Sequence, residues 1–87
     1  MPKHERRPPP ATLPGFPKAE KAKAKTRIGS GSSLRKRWKD PDGVFYEWDS
    51  RHGTVEKYDS RGNHLGEFDP YTGKRLKPPD PTRRVEP

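Results

Sequence analysis

Residues 44–58, VFYEWDSRHGTVEKY, decide the fold of this chain. Residues 44–48 are dense in β-branched and aromatic side chains, and residues 54–58 repeat that character after a polar segment that ends in glycine. A turn centred on Arg51 and His52 would pair position 49 with 54 and position 47 with 56. The stretch therefore predicts a β-hairpin.

The two faces of this hairpin differ in character, because side chains alternate along a strand. One face, the predicted core, holds Val44, Tyr46, Trp48 and Val55. The other holds Phe45, Glu47, Asp49, Glu56 and Tyr58. Asp49 and Glu56 would be diagonal neighbours roughly 7–8 Å apart, with His52 at the tip beside Asp49.

Further short strands are predicted at residues 34–38, 64–68 and 74–77, with turns at residues 40–43, 59–63 and 69–73. Trp38 follows three consecutive cations, so it either stacks on a base or packs in the core while the cations remain in solvent or bind phosphate. Evenly spaced strands separated by turns indicate an all-β antiparallel meander.

Residues 1–33 are predicted to form a poorly structured basic arm or linker, and residues 34–87 the folded domain. The arm is rich in Pro, Lys, Gly and Ser, and residues 18–25 could form a short helical turn. Leu13, Phe16 and Ile28 are the side chains that could attach the arm to the domain. We expect removal of residues 1–28 to alter delivery or partner contact more than activity.

Charge points to a polyanionic partner, most often nucleic acid. The net charge is +8, and residues 1–37 carry eleven Lys and Arg against two acidic residues. The chain has no cysteine, which excludes disulfides and thiolate metal sites. No apolar run approaches the ~20 residues that span a bilayer, and no signal-peptide pattern is present.

Acids beside an imidazole suit RNA cleavage by the ribose 2′-hydroxyl. A carboxylate can take the hydroxyl proton and a protonated histidine can give one to the leaving oxygen. Asp49, His52 and Glu56 provide these groups, and Arg83 and Arg84 could stabilise the phosphate charge. The spacing alone also fits a zinc site of one histidine and two carboxylates, or a solvated face with a capped turn.

Four motifs together resemble the C-terminal cytotoxic ribonuclease domain of the ribosome-cleaving colicins and cloacin, which also occurs at the tips of contact-dependent inhibition toxins. They are KRW (residues 36–38), YEWDS-x-HG (46–53), HLG-x-FDP-x-TG (64–73) and PDP (79–81). The resemblance implies a small, highly twisted antiparallel sheet.

The resemblance also implies an activity and its residues. The expected activity is a single metal-independent cut in 16S ribosomal RNA at the decoding centre, without a cofactor, giving a 2′,3′-cyclic phosphate. Glu56 would be the base, His52 the acid and Asp49 the group that orients or charges His52, although Asp49 and Glu56 could exchange roles. Arg83 would contact the phosphate, and the residues expected to bind RNA are Tyr58, His64, Lys77 and Arg84.

Partners and location follow from the same resemblance. The substrate would be the 30S ribosomal subunit, and an acidic immunity protein would inhibit the domain, which is expected to be a monomer. It would act in the cytoplasm of the target bacterium as the C-terminal part of a larger toxin. The alternatives are a non-catalytic module that binds RNA or the ribosome and, on the similarity of residues 58–69 to one YD-type unit, a wall-associated repeat.

Overall fold

In the computed structural model, which describes residues 7–28 and 33–87, one antiparallel sheet forms the fold. Its six strands lie in chain order. They are β1 (Glu20–Ala22), β2 (Arg37–Lys39), β3 (Phe45–Asp49), β4 (Thr54–Tyr58), β5 (His64–Phe68) and β6 (Arg75–Lys77). The all-β meander is confirmed. His4 and residues 29–32 of the predicted linker lie outside the described residues.

The central hairpin, β3–β4, has the predicted register. Asp49 is opposite Thr54 and Glu47 is opposite Glu56. The turn ends at Gly53, whose φ of 70° lies in the left-handed region that favours glycine. The sequence of residues 44–58 therefore fixes which side chains share each face.

One face of the sheet packs as the hydrophobic core, as the alternation predicted. Its buried members are Leu13, Ala19, Trp38, Tyr46, Trp48 and Val55, with Phe16, Val44 and Phe68 packed against them. Trp38 is in the core and not at an RNA-stacking position, being only 1% exposed. Leu13 and Phe16 attach the N-terminal segment to the sheet, as expected, whereas Ile28 is only half-buried and outside this cluster.

The N-terminal segment contributes a strand where the sequence allows a short helical turn. Within residues 18–25, β1 forms and pairs with β2, with Lys21 opposite Trp38. The helical prediction was wrong because a short helix has little stability of its own, whereas the open edge of β2 offers unpaired backbone groups. The division into an arm of residues 1–33 and a domain of residues 34–87 remains a prediction. The described part of the arm lies against the sheet.

The fifth strand contains a bulge that changes which way His64 points. The register with β4 shifts between Lys57 and Tyr58, so His64 is opposite Tyr58 and Gly66 opposite Lys57. Gly66 has a φ of 131°, and a Cβ there would stand 2.6 Å from the carbonyl oxygen of Lys77. The extra residue brings His64 to the same face as Glu67.

The second face of the sheet is also largely covered. It is therefore not the solvated face that the spacing of the acids also allowed. Its central side chains, Phe45, Glu47, Glu56 and Tyr58, are at most 2% exposed. The C-terminal segment lies over this face, held by the Val85 N–H donating to the Gly62 carbonyl and by Arg37 donating to the Glu86 carbonyl. Among the described residues, no helix is long and apolar enough to cross a membrane.

Candidate active site

A row of charged side chains crosses the covered face, one from each of five neighbouring strands. From β2 to β6 it consists of Arg37, Glu47, Glu56, Glu67 and Lys77. Like charges directly opposite one another are unfavourable in a sheet. Each of the three glutamates therefore needs its own partners, and each has a different set.

The first glutamate is neutralised inside the protein. Arg37 donates to Glu47 Oε2 from Nη2 at 2.6 Å and from Nε at 3.2 Å, and Thr26 donates to the same oxygen. Arg37 also lies over the Phe45 ring, 4.2 Å from its centroid. Arg37 is 3% exposed, so of the three cations before Trp38 this one has a structural role instead of facing solvent or RNA.

The turn of the central hairpin holds Asp49 and His52 as a pair. The backbone N–H groups of Arg51 and His52 donate to Asp49 Oδ1, and Asp49 Oδ2 lies 2.8 Å from His52 Nδ1. Burial alone would raise the pKa of Asp49, but the hydrogen bonds from His52 and Arg51 lower it below its ordinary value of 3.8. The His52 side chain is 53% exposed, so its other nitrogen can reach a substrate.

A second acid–imidazole pair lies deeper on the same face. His64 Nε2 is 2.7 Å from Glu56 Oε1, and both side chains are at most 5% exposed. The Asp80 N–H donates to His64 Nδ1 at 2.9 Å. Because Nδ1 accepts this bond, the proton of neutral His64 is on Nε2, which donates to Glu56.

Arg83 adds a positive charge to the second pair. Its Nη1 lies 3.7 Å from Glu56 Oε1. Partial burial would lower the pKa of Arg83, but neighbouring Tyr58 and Glu56 raise it above its ordinary value, and Asp49 contributes in the same direction. Burial raises the pKa of Tyr58 to about 12, so this ring is neutral near pH 7.

The predicted site residues are thus divided between two pairs, and one imidazole does not bridge two carboxylates. His52 pairs with Asp49, while Glu56 pairs with His64 and Arg83. Lys77 is on the same face but pairs with Glu67 at 3.7 Å. Arg84 forms a β-bridge with Asn63, and its side chain points into solvent.

Glu67 belongs to this cluster but is not among the predicted site residues. Thr54 Oγ1 donates to Glu67 Oε2 at 2.9 Å, and the ligand atoms of Asp49, His52 and Glu67 lie within 4.8 Å of one another. A cation could be held by these three residues, and not by the predicted set that contained Glu56. Pairing residues 64–68 with β4 from the sequence could have found Glu67, because it is opposite Glu56.

Together the sheet and the two pairs define a class of protein: a small, basic all-β domain equipped for proton transfer. The family described as Cytotoxic matches residues 7–86, and the chain belongs to that family.

Three relatives from Escherichia coli show the extent of the similarity. Colicin E3 is 48% identical over 75 residues, which are 84% of this chain and 12% of colicin E3. Cloacin is 44% identical and Colicin-E6 42% identical, each over 87 residues that cover 95% of this chain and 16% of the relative. The chain therefore spans less than a fifth of the length of these relatives.

Proposed function

We propose that this domain is an endoribonuclease of a bacterial toxin that makes a single metal-independent cut in 16S ribosomal RNA at the decoding centre, stopping translation. The observation that carries the proposal is the pairing of a buried Glu56 with His64 and Arg83, beside an exposed His52 paired with Asp49. Membership of the Cytotoxic family supports the choice of ribosomal RNA.

The proposed reaction uses the nucleophile that RNA itself provides. The Glu56 carboxylate takes the proton of a ribose 2′-hydroxyl, and the 2′-oxygen forms a bond to the adjacent phosphorus. The bond from phosphorus to the 5′-oxygen breaks, and protonated His52 gives that oxygen a proton. The products are a 2′,3′-cyclic phosphate and a 5′-hydroxyl end, and no cofactor is needed.

The other candidate site residues support the proposed base, Glu56, and the proposed acid, His52. Both oxygens of Asp49 already accept hydrogen bonds, so Asp49 suits the role of orienting and charging His52 better than that of the base. Arg83 stabilises the negative charge that develops on the phosphate oxygens. Lys77 and Arg84 are exposed and bind the RNA, whereas Tyr58 and His64 are buried and position it indirectly, Tyr58 beside Arg83 and His64 through its bond to Glu56.

The substrate particle, the site of action and the inhibitor are part of the same proposal. The domain acts as a monomer on the 30S subunit in the cytoplasm of a target bacterium, delivered as the C-terminal part of a larger toxin. An acidic immunity protein protects the producing cell, and the net charge of +8 would speed that association by electrostatic steering.

Mapping the 3′ ends of 16S ribosomal RNA after incubation with purified ribosomes tests the reaction. We expect one new end with the wild type, and its loss with His52→Ala and with either Glu56→Ala or the isosteric Glu56→Gln. Arg75→Ala is the matched control, because Arg75 is exposed on β6 opposite Phe68, on the other face of the sheet. Cleavage by either site variant at the wild-type rate would refute the assignment, provided that circular dichroism shows each variant folded.

Chelation by EDTA tests whether cleavage needs a metal ion, because Asp49, His52 and Glu67 could hold a cation. We expect cleavage to be unchanged by EDTA, since the 2′-hydroxyl mechanism uses only protein groups. Loss of cleavage in EDTA with recovery on adding Zn²⁺ would replace acid–base catalysis with metal-assisted cleavage. Binding of ribosomes without any new RNA end would instead favour a non-catalytic RNA-binding module.

A further inference from the structure

Arg7, far from the central hairpin in sequence, is fastened to it by its backbone. The Arg7 N–H donates to the Ser50 carbonyl at 2.9 Å, and the Arg7 carbonyl accepts a hydrogen bond from Trp48 Nε1 at 2.8 Å. These bonds use the end of β3 and the first residue of its turn. The backbone at Arg7 is thus fixed beside the turn that carries Asp49 and His52.

The Arg7 side chain lies over Gly53, the residue that follows His52. A Cβ on Gly53 would stand 2.8 Å from Arg7 Cδ and 3.3 Å from Arg7 Nη1. The Gly53 N–H in turn donates to the Asp49 carbonyl at 2.8 Å. Because position 53 has no side chain, the Arg7 side chain lies against the residue that directly follows His52.

This guanidinium makes no ion pair or side-chain hydrogen bond within residues 7–28 and 33–87. Its neighbour in function, Arg83, is by contrast paired with Glu56. An arginine has five N–H donors in a planar fork that suits phosphate oxygens, and none of the described residues accepts a bond from those of Arg7. Arg7 is also exposed, so a ligand can reach its side chain.

We propose that Arg7 binds a backbone phosphate of the RNA next to the phosphodiester that is cut. The inference rests on the proposed function, because it takes the exposed His52 as the group facing the leaving oxygen. Arg7, beside the turn that carries His52, and Arg83, beside Glu56, then contact the RNA backbone at two points. Arg7 is a substrate-binding residue and takes no part in proton transfer.

Steady-state cleavage of 30S subunits by the full chain tests this role. We expect Arg7→Ala to raise KM roughly tenfold while kcat changes less than about threefold, since one charge-assisted contact is lost. The slope of log(kcat/KM) against log[salt] should fall by about one for the lost phosphate contact. Arg7→Lys should recover part of the loss, and Arg75→Ala should change neither KM nor the slope.

Thermal unfolding separates binding from a structural role. Within residues 7–28 and 33–87 the Arg7 side chain has no ion pair or hydrogen bond to lose, so Arg7→Ala should melt at the wild-type temperature. An unchanged KM and salt slope in Arg7→Ala, with the wild type active, would overturn the inference alone. A KM increase accompanied by a lower melting temperature would also overturn it, by assigning Arg7 to the fold. A wild type that makes no cut would instead refute the proposed function.

Discussion

Asp49 closes the hairpin turn and also holds the imidazole that we propose as the acid. Its Oδ1 accepts the N–H groups of Arg51 and His52, which closes the turn, and its Oδ2 holds the imidazole of His52. The same bonds lower the pKa of Asp49, so the carboxylate is ionised near pH 7. A side chain that caps a turn thereby fixes the direction of the proposed acid.

We predict that Asp49→Asn is less stable than the wild type near neutral pH and that this difference disappears in acid. The pKa of Asp49 is below 3.8 in the folded protein, so the unfolded chain binds its proton first. The stabilisation is therefore complete above pH 3.8 and is lost as pH falls through the lower folded pKa. Urea unfolding of the wild type and of Asp49→Asn between pH 6 and pH 2.5 should show that the difference between their free energies of unfolding narrows as the pH falls. A constant difference would contradict the assignment.

At the scale of elements, the row of charged side chains across the covered face separates a structural acid, Glu47, from the proposed base, Glu56. Glu47 is 0% exposed and compensated by Arg37, which also holds the C-terminal segment through the Glu86 carbonyl. Glu56, directly opposite Glu47, is left to His64 and Arg83. Neutralising Glu47 internally lets these groups serve the carboxylate that we propose as the base.

We predict that Arg37→Met destabilises the domain by about 3–5 kcal/mol, because it leaves the buried carboxylate of Glu47 unpaired. The double variant Arg37→Met/Glu47→Gln should lose much less, since the buried charge is removed together with its partner. Urea denaturation of the single and double variants measures both values. Equal losses in the two variants would show that packing of Arg37 on Phe45 matters more than the ion pair.

The whole molecule is a sheet covered on both faces by the ends of its own chain. The segment that follows residue 6 covers the apolar face, with Leu13 1% exposed and the Gly15 N–H donating to the Pro70 carbonyl. The other end of the chain covers the acid-bearing face and carries Arg83. With only 24% hydrophobic residues, the chain needs both covers to bury a core.

We predict that deletion of residues 1–28 abolishes cooperative thermal unfolding and, with it, cleavage. This replaces the expectation drawn from composition that the segment serves mainly delivery or partner contact, because the deletion removes β1, Leu13 and Phe16. A milder test is Leu13→Ala, which should cost about 2–5 kcal/mol. Leu34→Ala, at a side chain that is 45% exposed, is its matched control. Wild-type stability of the deleted chain would restore the view of a dispensable arm.

The local sequence determined the hairpin, its register and its two faces. Alternation and a glycine-ended turn suffice to set 47 opposite 56 and to bring Asp49 beside His52, because these contacts join residues close in the chain. The same alternation of side chains predicts which residues of the hairpin form its apolar core.

Only the tertiary structure decided how the acids are partnered. A bulge at Gly66 turns His64 towards Glu56, β5 brings Glu67 to the cluster, and the N-terminal segment carries Arg7 to the turn. These contacts join residues that no short-range periodicity relates, and one extra residue in a strand reverses the face of every side chain beyond it. Pairing between distant segments, and not propensity, therefore completes the site.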